Sequence, residues 1–139
     1  MIKAIFTVCA QKAIIEKKTN NLSIINVIDQ FNPVGFPAFV AELAYIVKTE
    51  RNVDEDPDEL ELEIIIQQDE KILLNEKPKI SFEDKSFNNL VITVGGLVVE
   101  KPSPLVFICK EGKNELSRYT IKVKAPPTEV KSSKDVTST

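Results

Sequence analysis

The densest group of chemically useful side chains is an acidic segment in the middle of the chain, residues 54–59. Asp54, Asp56 and Asp58 match the first, third and fifth ligand positions of an EF-hand calcium loop. An EF-hand also needs a glycine at the sixth position, where this chain has Glu59, and a helix on each side. The segment therefore favours a solvated loop between strands, with a calcium-responsive loop as the alternative.

A second set of carboxylates overlaps the first. Glu59, Glu61 and Glu63 alternate with apolar residues, so in a strand they share one face at intervals of about 7 Å. That spacing overlaps the separation of the paired carboxylates in glycoside hydrolases. Acid–base catalysis also requires a cleft and a carboxyl group with a raised pKa, and a regular exposed row supplies neither. A charged outer strand face is the favoured interpretation, and a carboxylate-based hydrolase is the less favoured one.

The residue types that are absent exclude several reactions. The chain has no histidine, so Ser-His-Asp and Cys-His nucleophiles, histidine-ligated zinc and two-histidine iron sites cannot be built from it. Its two cysteines, Cys9 and Cys109, are too few for a structural zinc site and lie in apolar runs typical of buried strands. The four glycines form no phosphate-binding loop. The sequence thus predicts no catalytic residues and no cofactor.

The charge balance argues against nucleic-acid and lipid ligands. Among 139 residues, 18 Lys and Arg are scattered against 21 Asp and Glu, which gives a net charge of -3. No stretch approaches the roughly 18 apolar residues of a membrane span. The apolar run 2–9 is too short for a signal peptide and predicts a first strand. We therefore expect a cytoplasmic protein that binds neither nucleic acid nor membrane.

Short runs of β-branched residues, separated by Asn, Pro, Gly and charged turns, dominate the chain. They predict strands at about 3–10, 12–16, 22–31, 38–49, 59–67, 71–74, 78–83, 87–95, 104–110 and 116–124. Asn20-Asn21 suits the tip of a hairpin, because asparagine tolerates the left-handed backbone of tight turns. The spacing favours an all-β fold, a two-layer immunoglobulin-like β-sandwich of about 8–10 short strands.

The predicted sandwich spans residues 1–125, and the polar, proline-containing residues 126–139 are expected to form a flexible C-terminal tail. Gly95-Gly96 is interpreted as a bend or bulge that ends a strand. The runs Leu22–Ile28 and Leu90–Val99 are apolar on both faces. Such runs indicate either an oligomer with an apolar outer face or burial by a curved sheet.

Three aromatic residues are the candidate binding site. Phe31, Phe36 and Phe39 cluster around Pro33 and Pro37 in the connection that follows the hairpin. On a rigid sandwich, an exposed aromatic loop forms a plausible binding surface. The alternative is that the rings close one end of the core as the chain crosses between sheets. The expected partner is another protein or a second copy of the chain.

The blocks at 4–6, 13–15, 20–29, 36–38 and 94–97, followed by a proline segment and two closing strands, resemble an uncharacterised bacterial family of small single-domain proteins. The resemblance covers nearly the whole predicted sandwich. It implies a β-sandwich fold and implies no activity. Together with the missing catalytic chemistry, it favours a non-enzymatic binding or structural module.

Overall fold

The computed structural model describes residues 1–126, and the regular elements among them are strands. They are β1 (Lys3–Ile15), β2 (Leu22–Val27), β3 (Gln30–Phe31), β4 (Ala38–Glu50), β5 (Glu59–Glu61), β6 (Glu63–Gln68), β7 (Lys71–Glu76), β8 (Lys79–Ser81), β9 (Phe87–Val99), β10 (Leu105–Glu111) and β11 (Asn114–Val123). Among these residues no helix is long and apolar enough to cross a membrane. The predicted tail, 126–139, lies outside the described residues apart from Pro126.

Two sheets pack against each other, which confirms the predicted all-β sandwich. Sheet I has the order β2-β1-β4-β9 and is antiparallel. Sheet II has the order β3-β11-β10-β6-β7, in which the short β3 runs parallel to β11 and the other pairs are antiparallel. β5 and β8 form a separate two-stranded ribbon. The immunoglobulin-like connectivity stays a prediction.

The main core lies between the sheets, because the inward side chains of both are mostly apolar. Tyr45 of β4 and Phe107 of β10 meet there with their ring centroids 5.3 Å apart. Cys9 and Cys109 are buried in the same cluster as free thiols, so they act as the small apolar side chains that the sequence predicts. Burial raises the pKa of Cys109 to about 12 and also raises that of Cys9, which keeps both thiols protonated.

Within residues 1–126 eleven strands replace the predicted 8–10, because two predicted strands are continuous and two predicted runs are divided. β1 is one strand where two were expected, because its hydrogen-bonded partner changes from β4 to β2 near Ala10 while its backbone stays extended. The run 22–31 is divided between Val27 and Gln30, just beyond Asn26, whose φ is 56°. The run 59–67 is divided at Leu62, whose N–H donates to the carbonyl of Pro78 (2.9 Å) as the chain passes from the ribbon into sheet II.

β9 continues through Gly95-Gly96 to Val99, so the prediction that these glycines end a strand is wrong. Gly96 has a φ of 72°, a conformation that glycine adopts without strain. Val94 and Leu97 both face the core although they are three residues apart, whereas alternation in a regular strand directs them to opposite faces. The glycine therefore changes which alternate residues of β9 face the core, so that both halves of the strand bury apolar side chains.

The β1–β2 hairpin folds across the outer face of sheet I. Its tip includes Asn20 in the predicted left-handed conformation, and the carbonyl of this residue accepts a hydrogen bond from Asn89 of β9, two strands beyond β1 (3.1 Å). In β4, the consecutive residues Leu43–Val47 are all buried, which requires cover on both faces of the strand. A second apolar cluster supplies the cover on the outer face; it contains Ala10, Ala44 and Ile46, surrounded by Val8, Ala13, Leu22, Ile24 and Val91.

Candidate interaction surface

The structure separates the three candidate phenylalanines. Phe31 in β3 and Phe36 in the following connection are half-buried and pack against the main core. Phe39, the second residue of β4, is 66% exposed. The first two rings therefore fit the interpretation that they close the end of the core, and the third fits the interpretation of an exposed aromatic surface.

Phe39 lies on the outer face of sheet I, outside the cluster that the hairpin covers. Its cross-strand partner on β9 is Val98, which is 46% exposed. The Phe39 ring also lies over Gly96, since a Cβ atom added to that glycine would be 3.9 Å from the ring. Aromatic, glycine and valine surfaces thus form one exposed apolar site, which we call the Phe39 patch (Phe39, Gly96 and Val98).

One acidic residue, Glu42, lies on the strands that carry the Phe39 patch, and it lines a groove that Lys12 also lines. Glu42 is paired with Gly95 on the same two strands and is exposed. In the connection that leads into β4, Val34 is fully exposed and Pro37 is exposed as well. An apolar side chain accompanied by a basic group would complement this combination.

The acidic segment is organised by Arg51, whose side chain is only 4% exposed. Its Nη2 lies 3.1 Å from Oδ1 of Asp58, its Nε donates to the carbonyl of Lys85 (2.8 Å), and its Nη1 donates to the carbonyl of Asp56 (3.2 Å). The guanidinium group also lies 5.2 Å from the centroid of the Phe82 ring. Several hydrogen bonds donated by one buried cation therefore hold the loop against the sandwich.

The other carboxylates of the segment have separate partners. Asp56 accepts a hydrogen bond from the backbone N–H of Asn52 (2.7 Å) and lies 3.1 Å from the amino group of Met1. These contacts lower the pKa of Asp56, the backbone hydrogen bond most of all. Asp54 is exposed. Within residues 1–126 no group of three or more His, Cys, Asp or Glu side chains is placed to hold a metal ion, so the structure does not assemble Asp54, Asp56 and Asp58 as calcium ligands.

The row of glutamates is divided between two strands. Glu59 and Glu61 lie in β5, whereas Glu63 lies in β6 and accepts a hydrogen bond from Asn75 (3.1 Å). Glu59 and Glu61 line a groove of about 440 Å³ over the β5–β8 ribbon, together with Lys79. Both carboxylates are exposed to the same solvent, whereas an acid–base pair needs two different environments. The arrangement gives the hydrolase hypothesis no support.

Sequence reasoning missed Arg51 and Val98. The signal for Arg51 was its position directly before an acidic run, where a lone cation has several carboxylates within reach. No sequence pattern marked Val98 as exposed, because the interruption of the alternation at Gly96 decides which face of β9 it occupies.

The comparisons with known proteins add no relative. A scan against protein-family models finds no match for the chain, and a search of curated proteins finds none. The resemblance to an uncharacterised bacterial family therefore stays a prediction.

Proposed function

We propose that the protein is a non-enzymatic cytoplasmic module that binds a partner protein through the Phe39 patch. The observation that carries this proposal is the 66% exposure of Phe39 on a regular strand. Exposed aromatic side chains that are held rigidly are typical of binding hot spots, because little conformational entropy is lost on binding. β4 holds Phe39 in this way, since its middle portion is buried on both faces.

The chemistry of the patch specifies the partner. An apolar side chain packs against the Phe39 ring and Val98, and a lysine or arginine beside it pairs with Glu42. A cytoplasmic location is supported by the two free thiols, Cys9 and Cys109, which a reducing compartment maintains.

Photochemical cross-linking from position 39 tests the proposal. A photoreactive phenylalanine analogue replaces Phe39 in cells that express the protein. The matched control carries the analogue at Val53, which is 50% exposed and follows the opposite end of β4. We expect adducts with one partner from position 39 that position 53 does not give. Identical adducts from both positions, or no adduct from position 39, would contradict the proposal.

The partner identified in this way is then purified for affinity measurements. Phe39→Ala is expected to weaken binding by about 2 kcal/mol, or roughly 30-fold, as truncation of a hot-spot aromatic does. Val53→Ala is expected to leave the affinity unchanged. Circular dichroism of both variants controls for folding, and equal affinities of the two folded variants would refute the assignment of the patch.

A further inference from the structure

The edge strand β2 leaves one side of sheet I open. Its only hydrogen-bonded neighbour among residues 1–126 is β1. The N–H of Glu16 donates to the carbonyl of Asn21 (2.9 Å), so Glu16 and Asn21 form a hydrogen-bonded pair. In an antiparallel ladder such pairs alternate with non-hydrogen-bonded ones, which makes Leu22 a residue without hydrogen bonds to β1. Successive residues direct their backbone groups to opposite sides of a strand, so the N–H and C=O groups of Leu22 and Ile24 point away from β1.

The other edges of sheets I and II have features that discourage pairing with another strand. β3 is only two residues long, and β7 has exposed charges at both ends, Lys71 and Glu76. β9 is bent at Gly96, and near its start the side chain of Asn88 donates to the carbonyl of Ser81 (3.0 Å). β2, with the sequence Leu-Ser-Ile-Ile-Asn-Val, has neither a charge nor a proline. It is thus the edge best suited to accept a further strand.

We propose that β2 pairs antiparallel with β2 of a second copy of the chain, about a two-fold axis at Ser23. Leu22 of each copy then exchanges two backbone hydrogen bonds with Ile24 of the other, which uses the groups that point away from β1. An uncharged strand suits this symmetry, because like charges on the two copies never come to face each other. Ile25 and Val27, 42% and 57% exposed, add apolar area beside the axis.

A register centred on Ser23 is favoured over one centred on Ile24. The second register would require a regular extended backbone at Asn26, whose φ is 56°. Pairing about Ser23 uses only residues that precede this irregularity. It also predicts that the two Ser23 side chains face each other as a non-hydrogen-bonded pair, with Cα atoms about 4.5 Å apart.

Disulfide trapping of Ser23→Cys tests this geometry. Two cysteines at the axis lie within the Cα separation that a disulfide requires, so mild oxidation is expected to give a covalent dimer. The matched control is Ile14→Cys, because Ile14 is the cross-strand neighbour of Ser23 on β1. Three strand spacings, or about 14 Å, separate the two copies of that residue in the proposed dimer, which is too far for a disulfide. The native Cys9 and Cys109 are buried and do not compete.

Light scattering on the full chain without oxidant gives a second readout. We expect about twice the monomer mass of 15.6 kDa for the wild type, a shift to the monomer for Ser23→Lys, and no shift for Ile14→Lys. A monomeric wild type at the highest soluble concentration, or equal trapping of the two cysteine variants, would overturn the proposal. A dimer that survives Ser23→Lys would place the interface elsewhere and also overturn it. Phe39→Ala leaves the dimer intact, so this proposal and the partner-binding proposal fail separately.

Discussion

The two outer faces of the sandwich are built differently. On sheet II, polar and charged side chains such as Thr120 and Lys122 stand beside the apolar pair Ile65 and Ile108, and Arg118 pairs with Glu115 at 2.7 Å. Sheet I has an apolar outer face, of which the hairpin covers the part around Ile46. A polar face is stable in water by itself, whereas an apolar one must be covered. The uncovered parts of sheet I, the Phe39 patch and the β2 edge, are therefore where we place the partner and the second copy.

The largest expected effect tests whether the hairpin builds a second core. Ile46→Ala removes a fully buried side chain from the outer cluster and is expected to lower the free energy of unfolding by about 3 kcal/mol. Ile65 of β6 is the matched position on the outer face of sheet II, where it is only half-buried. Ile65→Ala is expected to cost about 1 kcal/mol. Denaturant unfolding measures both, and equal losses would show that the two faces do not differ.

A smaller effect is expected from the glycine that lets sheet I keep its core contacts. Gly96→Ala is expected to destabilise the fold by about 1 kcal/mol, because an alanine is strained at a φ of 72°. Gly95→Ala is the control, since Gly95 has no positive φ and its added Cβ would lie 3.5 Å from the carbonyl of Ala41, an ordinary contact. Thermal unfolding compares the two variants, and a larger loss for Gly95→Ala would contradict the role assigned to Gly96.

The smallest effect concerns the charges on sheet II. Hydrogen bonds from the Arg118 guanidinium hold the pKa of Glu115 below its ordinary value. A depressed pKa contributes stability above the unfolded-state value, and that stability is lost as the pH falls through the folded-state value. The melting temperature of Glu115→Gln is therefore expected to lie slightly below the wild-type value at pH 7 and to converge with it in acid. The difference is small because both side chains are exposed. A difference that grows in acid would contradict this assignment.

Particular residues show how far sequence patterns could predict the fold. The alternation over residues 59–67 predicted opposite faces for its glutamates and its apolar residues, of which Leu62, Ile64 and Ile66 are buried, and the asparagines at 20 and 21 marked the hairpin tip. These predictions depend only on the two-residue period of a strand and on local turn preferences. The division of the same run between the ribbon and sheet II was missed, because it depends on which distant strands pair with each half.

The candidate site was likewise only partly predictable from the sequence. Sequence alone identified Phe31, Phe36 and Phe39 as a group, but the exposure of each ring depends on the layer that covers it. The two-sided apolar runs left burial and oligomerisation as alternatives. In the structure the hairpin buries part of that surface, and the outer side of β2 remains exposed.

The sequence by itself determined the strand-rich character of this protein and the absence of histidine chemistry, since both follow from residue types and local spacing. Only the tertiary structure decided which apolar residues are covered, how Arg51 holds the acidic loop, and that Phe39 faces solvent beside Val98. The physical reason is that burial and pairing depend on segments that are distant along the chain. No local pattern records which strand will lie over which face.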